Sequence, residues 1–205
     1  MFRVLTISRE FGSGGGQVAR LAAARLGWRV LDQNLIAEIA HAAHVDPELA
    51  RQFDERIDSW VHRVSRRSLW HGGLEGVAAL DENACFDAQT MTALAASLIR
   101  EAHRLGGCVV VGRGAQCVLQ KEADVFHAYI YAPWREKVRR VRERIPEPGD
   151  VAELIRSTDE RRAEFVRLNY GCEWANPHLY HMMICTSLGV ERAADAIVCA
   201  MGGGK

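Results

Sequence analysis

Lysine is nearly missing from this chain: it occurs only at Lys121, Lys137 and Lys205, against 23 arginines. Cationic side chains brought to a ligand are therefore mostly guanidiniums, planar forks suited to phosphate and carboxylate oxygens. An excess of charge is missing too. With 26 acidic and 26 basic residues and no long like-charge block, the chain does not read as a nucleic-acid binder or an anionic-membrane binder. No apolar run approaches the roughly 20 residues of a membrane helix. The opening strand pattern breaks at Ser8-Arg9-Glu10, unlike a secretory signal, so a cytoplasmic location is expected. None of the six cysteines falls in a C-x-x-C pair, which fits reduced, mostly buried thiols. A zinc set of Cys172, His178, His181 and Cys185 has irregular spacing and is interrupted by Met182-Met183-Ile184, so no metal-ligating residue is assigned.

Glycine is what the chain has where it matters. Gly12-Ser13-Gly14-Gly15-Gly16-Gln17 follows a short apolar run, Val4–Ile7, and opens a helical pattern that runs to Leu26. A strand, a glycine-rich turn and a helix start in that order make a phosphate cradle. Glycines let backbone N–H groups converge, and the helix N-terminus adds partial positive charge. The segment resembles G-x-x-x-x-G-K-[ST] with Gly14 as the second glycine. Arg9 then stands in the first glycine's place, Gly15 in the lysine's, and Gly16 in that of the serine or threonine. With no lysine nearby, Arg9 is the nearest cation.

The remaining length suits one domain with inserts. Apolar runs at 4–7, 29–31, 108–111, 126–131 and 182–185 alternate with helical periodicity at 17–26, 34–44, 92–105, 134–144, 151–168 and 190–201. Short continuous apolar strands between helices predict a parallel sheet covered on both faces. Ligand-binding loops then gather at the strands' C-terminal ends. Residues 45–90, with Trp60 and Trp70, and residues 145–180, rich in arginine, depart from this rhythm and read as inserts.

Three further groups could carry chemistry. Arg113 follows Gly112 directly after the strand 108–111, at the same sheet edge as the glycine loop, which favours a phosphate contact over a surface salt bridge. Asp32 ends the strand 29–31, where capping the next helix is its commonest use and substrate binding a second one. Lys137, Arg140 and Arg144 share one helix face, and Arg156, Arg161, Arg162 and Arg167 follow in the next helix, with Asp159 three residues before Arg162. Most of these read as solvated faces laced with glutamates. A mobile arginine-bearing segment would nonetheless supply cations around a moving phosphoryl group and exclude water.

The strings Thr6 to Gly16, Leu31-Asp32, Val111-Gly112-Arg113-Gly114, Ile130-Tyr131-Ala132-Pro133, Asp159-x-x-Arg162-Ala163 and Tyr180 to Ser187 resemble the cytidylate kinase-like family over nearly the whole chain. The resemblance implies a P-loop nucleoside monophosphate kinase fold: α/β, with a five-stranded parallel sheet between helices. The core would be 1–44, 91–144 and 179–201, the helical monophosphate-binding insert about 45–90, and the arginine-rich lid about 145–178. By position, Gly12, Ser13, Gly14, Gly15, Gly16 and Gln17 would hold the ATP phosphates. Asp32 and Arg113 would serve the acceptor, and Arg9, Arg140, Arg162 and Asp159 the transfer. The substrates implied are Mg2+-ATP and a small phosphorylated acceptor, CMP or dCMP by preference, with no nucleic acid and no membrane. The chain departs from true cytidylate kinases where Gly15 replaces the lysine. It also reads Gln33-Asn34-Leu35-Ile36 where they carry an arginine after Asp32, and Gly114 where they carry an aspartate. These departures keep two alternatives open: a nucleotide-binding protein without turnover, and a kinase for a non-nucleotide small molecule.

Overall fold

The computed structural model describes residues 1–32, 88–145 and 149–202. The predicted helix at 34–44, the insert at 45–90 and its tryptophans Trp60 and Trp70 lie outside or almost outside these residues. Five strands form one sheet: β1 (Val4–Arg9), β2 (Arg29–Leu31), β3 (Cys108–Val111), β4 (Val125–Tyr131) and β5 (Met182–Cys185). Their order is β2-β3-β1-β4-β5 and every pairing is parallel. The central strand β1 pairs with β3 on one side and β4 on the other, so its C-terminal end lies at the middle of the binding edge.

Both faces of the sheet are covered, which is why the strands read as continuous apolar runs. Helices α1 (Gly15–Leu26) and α6 (Val190–Ala200) pack on one face. There Leu5, Ile7, Val18, Ala22, Ile130, Ala193 and Ile197 are almost wholly buried. Burying each of the larger side chains is worth roughly 2 kcal/mol. The alanines of α1 let the helix approach closely, holding its N-terminus against the end of β1. Helices α2 (Ala88–Leu105) and α3 (Ala115–Val118) cover the other face through Ile99, Val110, Val125 and Leu119. Helices α4 (Trp134–Arg144) and α5 (Val151–Tyr170) close over the binding edge, where Phe11, Val141, Val151 and Ile155 form a small core. Asp150 caps α5 by accepting from the amides of Ala152 and Glu153, and Gly171 ends it in the left-handed conformation. No described helix is long and apolar enough to cross a membrane.

One polar pair sits inside the sheet. His127 is 4 % exposed, its Nδ1 lies 2.7 Å from Thr6 Oγ1, and its ring stacks on His181. Burial first, and then His181, push the His127 imidazole down to about 4. The unfolded chain binds a proton at about 6.5, whereas the folded chain resists until about 4. Acid therefore favours unfolding across that window. Urea denaturation is expected to show about 2 kcal/mol of stability lost between pH 7 and pH 5. In a His127→Gln variant this loss should shrink, and an equal loss in both proteins would contradict the assignment.

Candidate functional site

The site is built where β1 runs out. Glu10 still pairs with β4, its amide donating to the Ile130 carbonyl at 3.0 Å, and the chain then turns at Gly12 and Gly14. Both have positive φ, 76° and 82°, and a β-carbon on Gly12 would lie 2.9 Å from the Lys137 carbonyl oxygen. Ser13 is buried, and its hydroxyl donates to the Glu10 carbonyl at 2.8 Å. Arg140 Nη1 and Thr186 Oγ1 donate to the Ser13 carbonyl at 2.8 and 2.6 Å, which fixes that carbonyl in place.

The loop's amides divide into two sets. Those of Ser13, Gln17 and Val18 are used within the turn and first helical turn, and that of Gly15 makes only a 3.4 Å contact with the Ser13 hydroxyl. Those of Gly12, Gly14 and Gly16 have no hydrogen-bond partner among the described residues. Unsatisfied amides at the start of an α-helix, with its dipole behind them, suit an anion.

Cations converge on the same edge. Arg9, from the end of β1, passes over Gly15 and places its guanidinium against Gly112. Burial above all, opposed in part by Asp32 and Asp159 and aided by Arg162 and Arg113, pulls it down to about 9. These two arginines are likewise lowered by burial. A cluster of desolvated, mutually repelling guanidiniums gains most from an incoming polyanion.

Arg113 is held in an uncommon backbone state. Its φ is 53°, between Gly112 at 81° and Gly114 at 70°, and its buried Nε has no hydrogen-bond partner among the described residues. The Tyr170 hydroxyl donates to the Arg113 carbonyl at 3.2 Å, and a β-carbon on Gly114 would overlap the Tyr170 ring. Only glycine takes this backbone region without cost. Arg113→Gly is thus expected to be about 1 kcal/mol more stable than Arg113→Ala in urea denaturation. The reverse order would contradict the left-handed geometry.

Of the residues singled out in the sequence, Asp32, Arg113, Asp159 and Arg162 all lie within electrostatic reach of Arg9. Asp159 Oδ1 accepts from the Phe11 amide at 2.7 Å and from Arg162 Nη1 at 3.2 Å, while Arg162 also donates to the Arg9 carbonyl. Arg140 lies on the loop's far side, its donors engaged by Ser13, Thr186 and Glu136. Lys137 was read only as one point on a charged helix face. Instead it is 8 % exposed, with its Nζ 3.1 Å from Glu10 Oε2 and 3.3 Å from Asp159 Oδ2. Glu10, Thr186 and Tyr170 were likewise not singled out. Their signals in the sequence are weak: Lys137 shares the helix face of Arg140, and Thr186 lies in the family-like segment Tyr180 to Ser187.

The chain matches the cytidylate kinase-like family over residues 4–188. A cytidylate kinase of Methylococcus capsulatus is 27 % identical over 171 residues, which is 77 % of each chain. Among solved structures, an uncharacterized protein from Eubacterium ventriosum superposes with a TM-score of 0.70 at 20 % identity, covering 98 % of this chain and 99 % of the other. A shikimate kinase from Bacteroides thetaiotaomicron gives 0.54 at 12 % identity, covering 97 % and 98 %. The fold is that of the P-loop kinases.

Proposed function

The chain belongs to the cytidylate kinase-like family, and from that premise we propose that it moves the γ-phosphoryl of Mg2+-ATP onto a small phosphorylated acceptor, CMP or dCMP by preference. The observation that carries this reading is the glycine loop: three amides, of Gly12, Gly14 and Gly16, without a partner among the described residues, next to Arg9, on which Arg113 and Arg162 also act. Phosphoryl transfer needs positioning and charge neutralisation rather than a covalent intermediate, and amides plus guanidiniums supply both. In this reading the loop Gly12 to Gln17 holds the ATP phosphates through the amides of Gly12, Gly14 and Gly16, and Arg113, with Asp32 nearby, receives the acceptor phosphate. Arg162, oriented by Asp159, neutralises charge in transit. Arg140, together with Thr186, acts by fixing the Ser13 carbonyl. Helix α5, within the lid segment of about 145–178, brings Asp159 and Arg162 onto the loop and excludes water.

The described residues build no resident metal site at the loop. Position 16 has no hydroxyl, and Glu10 and Asp159 are engaged by Lys137, Arg162 and the Phe11 amide. The Mg2+ enters with the nucleotide, as part of the substrate.

A second reading, kinase chemistry on a phosphorylated small molecule other than a cytidine nucleotide, is favoured by Tyr170. Its ring fills the space that any side chain at position 114 would need. A coupled ADP-release assay with CMP, dCMP, other nucleoside monophosphates and a panel of phosphorylated metabolites separates the two. Release that depends on CMP or dCMP supports the first reading, and release with an acceptor that is not a cytidine nucleotide supports the second. No release with any acceptor would contradict phosphoryl transfer altogether.

A further inference from the structure

Positions 9 and 15 cannot both carry side chains on this backbone. A β-carbon on Gly15 would overlap the Arg9 Cβ and lie 2.9 Å from its Cγ, with Ile130 Cβ 3.4 Å away. From that crossing Arg9 continues along the strand ends, and a β-carbon on Gly112 would overlap its Nη1 and lie 3.3 Å from its Cζ. Both glycines are thus cut to fit one arginine, the first under its stem and the second under its head. In G-x-x-x-x-G-K-[ST] the first position is glycine and the seventh lysine. Here the same two positions hold arginine and glycine.

The two departures are one exchange. We infer that Arg9 is the loop's phosphate-binding cation, carried by the strand end instead of the helix start, and that it meets the terminal phosphate of a nucleoside triphosphate from the Gly112–Arg113 side. The inference rests on the phosphotransferase reading and adds a residue-level assignment to it. Among the described residues no carboxylate makes a direct salt bridge to Arg9, although Asp32 and Asp159 lie within its electrostatic reach. Arg162 and Arg113 act on it as well, so the head of Arg9, laid against Gly112, shares its corner with two further guanidiniums. That corner is where the phosphate of an acceptor held by Arg113 would face the terminal phosphate of a donor held by the loop. A lysine at position 15 would approach along the helix start; Arg9 approaches across the sheet edge, between the two phosphates.

Calorimetric titration with Mg2+-ATP and with Mg2+-ADP tests this, with thermal unfolding recorded for each variant. Arg9→Gln keeps the stem over Gly15 and removes the charge. It is expected to weaken Mg2+-ATP about 10- to 100-fold while changing Mg2+-ADP less than about threefold. Gly15→Ala leaves Arg9 in the sequence but displaces it, and the same selective loss is expected. The double variant Arg9→Gly/Gly15→Lys restores the transposed arrangement and is expected to return Mg2+-ATP affinity to within about fivefold of the parent. Parent-like Mg2+-ATP binding by Arg9→Gln or by Gly15→Ala would overturn the inference, as would a folded double variant that binds no better than Arg9→Gln. A parent protein that binds neither nucleotide would remove the phosphotransferase reading itself, a different failure.

Discussion

Arg113→Ala is expected to lower kcat/KM for the phosphorylated acceptor about 1,000-fold while leaving Mg2+-ATP affinity within about twofold. The reason lies in how the side chain is presented. Three successive positive-φ residues, Gly112, Arg113 and Gly114, turn the chain sharply after β3, and the buried Nε has no partner among the described residues. An unpartnered buried donor costs about 1–3 kcal/mol, and an acceptor phosphate would recover that cost on binding. Truncation removes a charge-assisted, two-pronged contact without touching the loop amides of Gly12, Gly14 and Gly16. Steady-state kinetics with the acceptor found in the release assay, alongside calorimetry with Mg2+-ATP, separates the two effects. Equal loss of both would mean that Arg113 does not mark a separate acceptor side.

Lys137→Met carries the largest expected effect on stability. Its ammonium sits between Glu10 and Asp159, almost out of solvent, and both carboxylates belong to segments that shape the loop. Taking away the cation leaves two partly buried carboxylates facing each other. Removing one partner from a buried ionic network costs about 3–5 kcal/mol. Because Asp159 and Glu10 are themselves partly exposed, a loss of about 3 kcal/mol in urea denaturation is the expectation. Lys137→Met/Asp159→Asn should lose less than the two single changes added together, since the double variant no longer strands one of the charges. Strict additivity would show that Lys137 is held by the contact of its ammonium with the Trp134 ring rather than by the carboxylates.

The strands were the most legible part of this chain. All five apolar runs became strands, with 29–31, 108–111 and 182–185 matching to the residue and 4–7 lengthening to Arg9. Burial on both faces forces uninterrupted apolar runs, so the signal is local. The helix at 92–105 began four residues earlier, at Ala88, because its first turn lacks the apolar spacing that marks the rest. The glycine loop and the strand-end positions of Asp32 and Arg113 were also legible, since a strand end fixes the edge a residue occupies. What could not be read was the path of side chains. That Arg9 crosses Gly15 depends on how β1 meets α1 in space, and no periodicity encodes it. Arg113 in the left-handed region has only its glycine neighbours as a hint. Lys137 lies on a helix face that looks solvated until α5 and Glu10 cover it. Strand order, too, follows from crossovers that the pattern of runs leaves open.

The central claim is that the amides of Gly12, Gly14 and Gly16 grip the phosphates of Mg2+-ATP. An NMR titration of 15N-labelled protein tests it most directly. Saturating Mg2+-ATP should move the amide resonances of these three glycines strongly downfield, and those of Gln17 and Val18, already bonded within the turn, much less. Saturating nucleotide that left the three glycine amides in place would contradict the account.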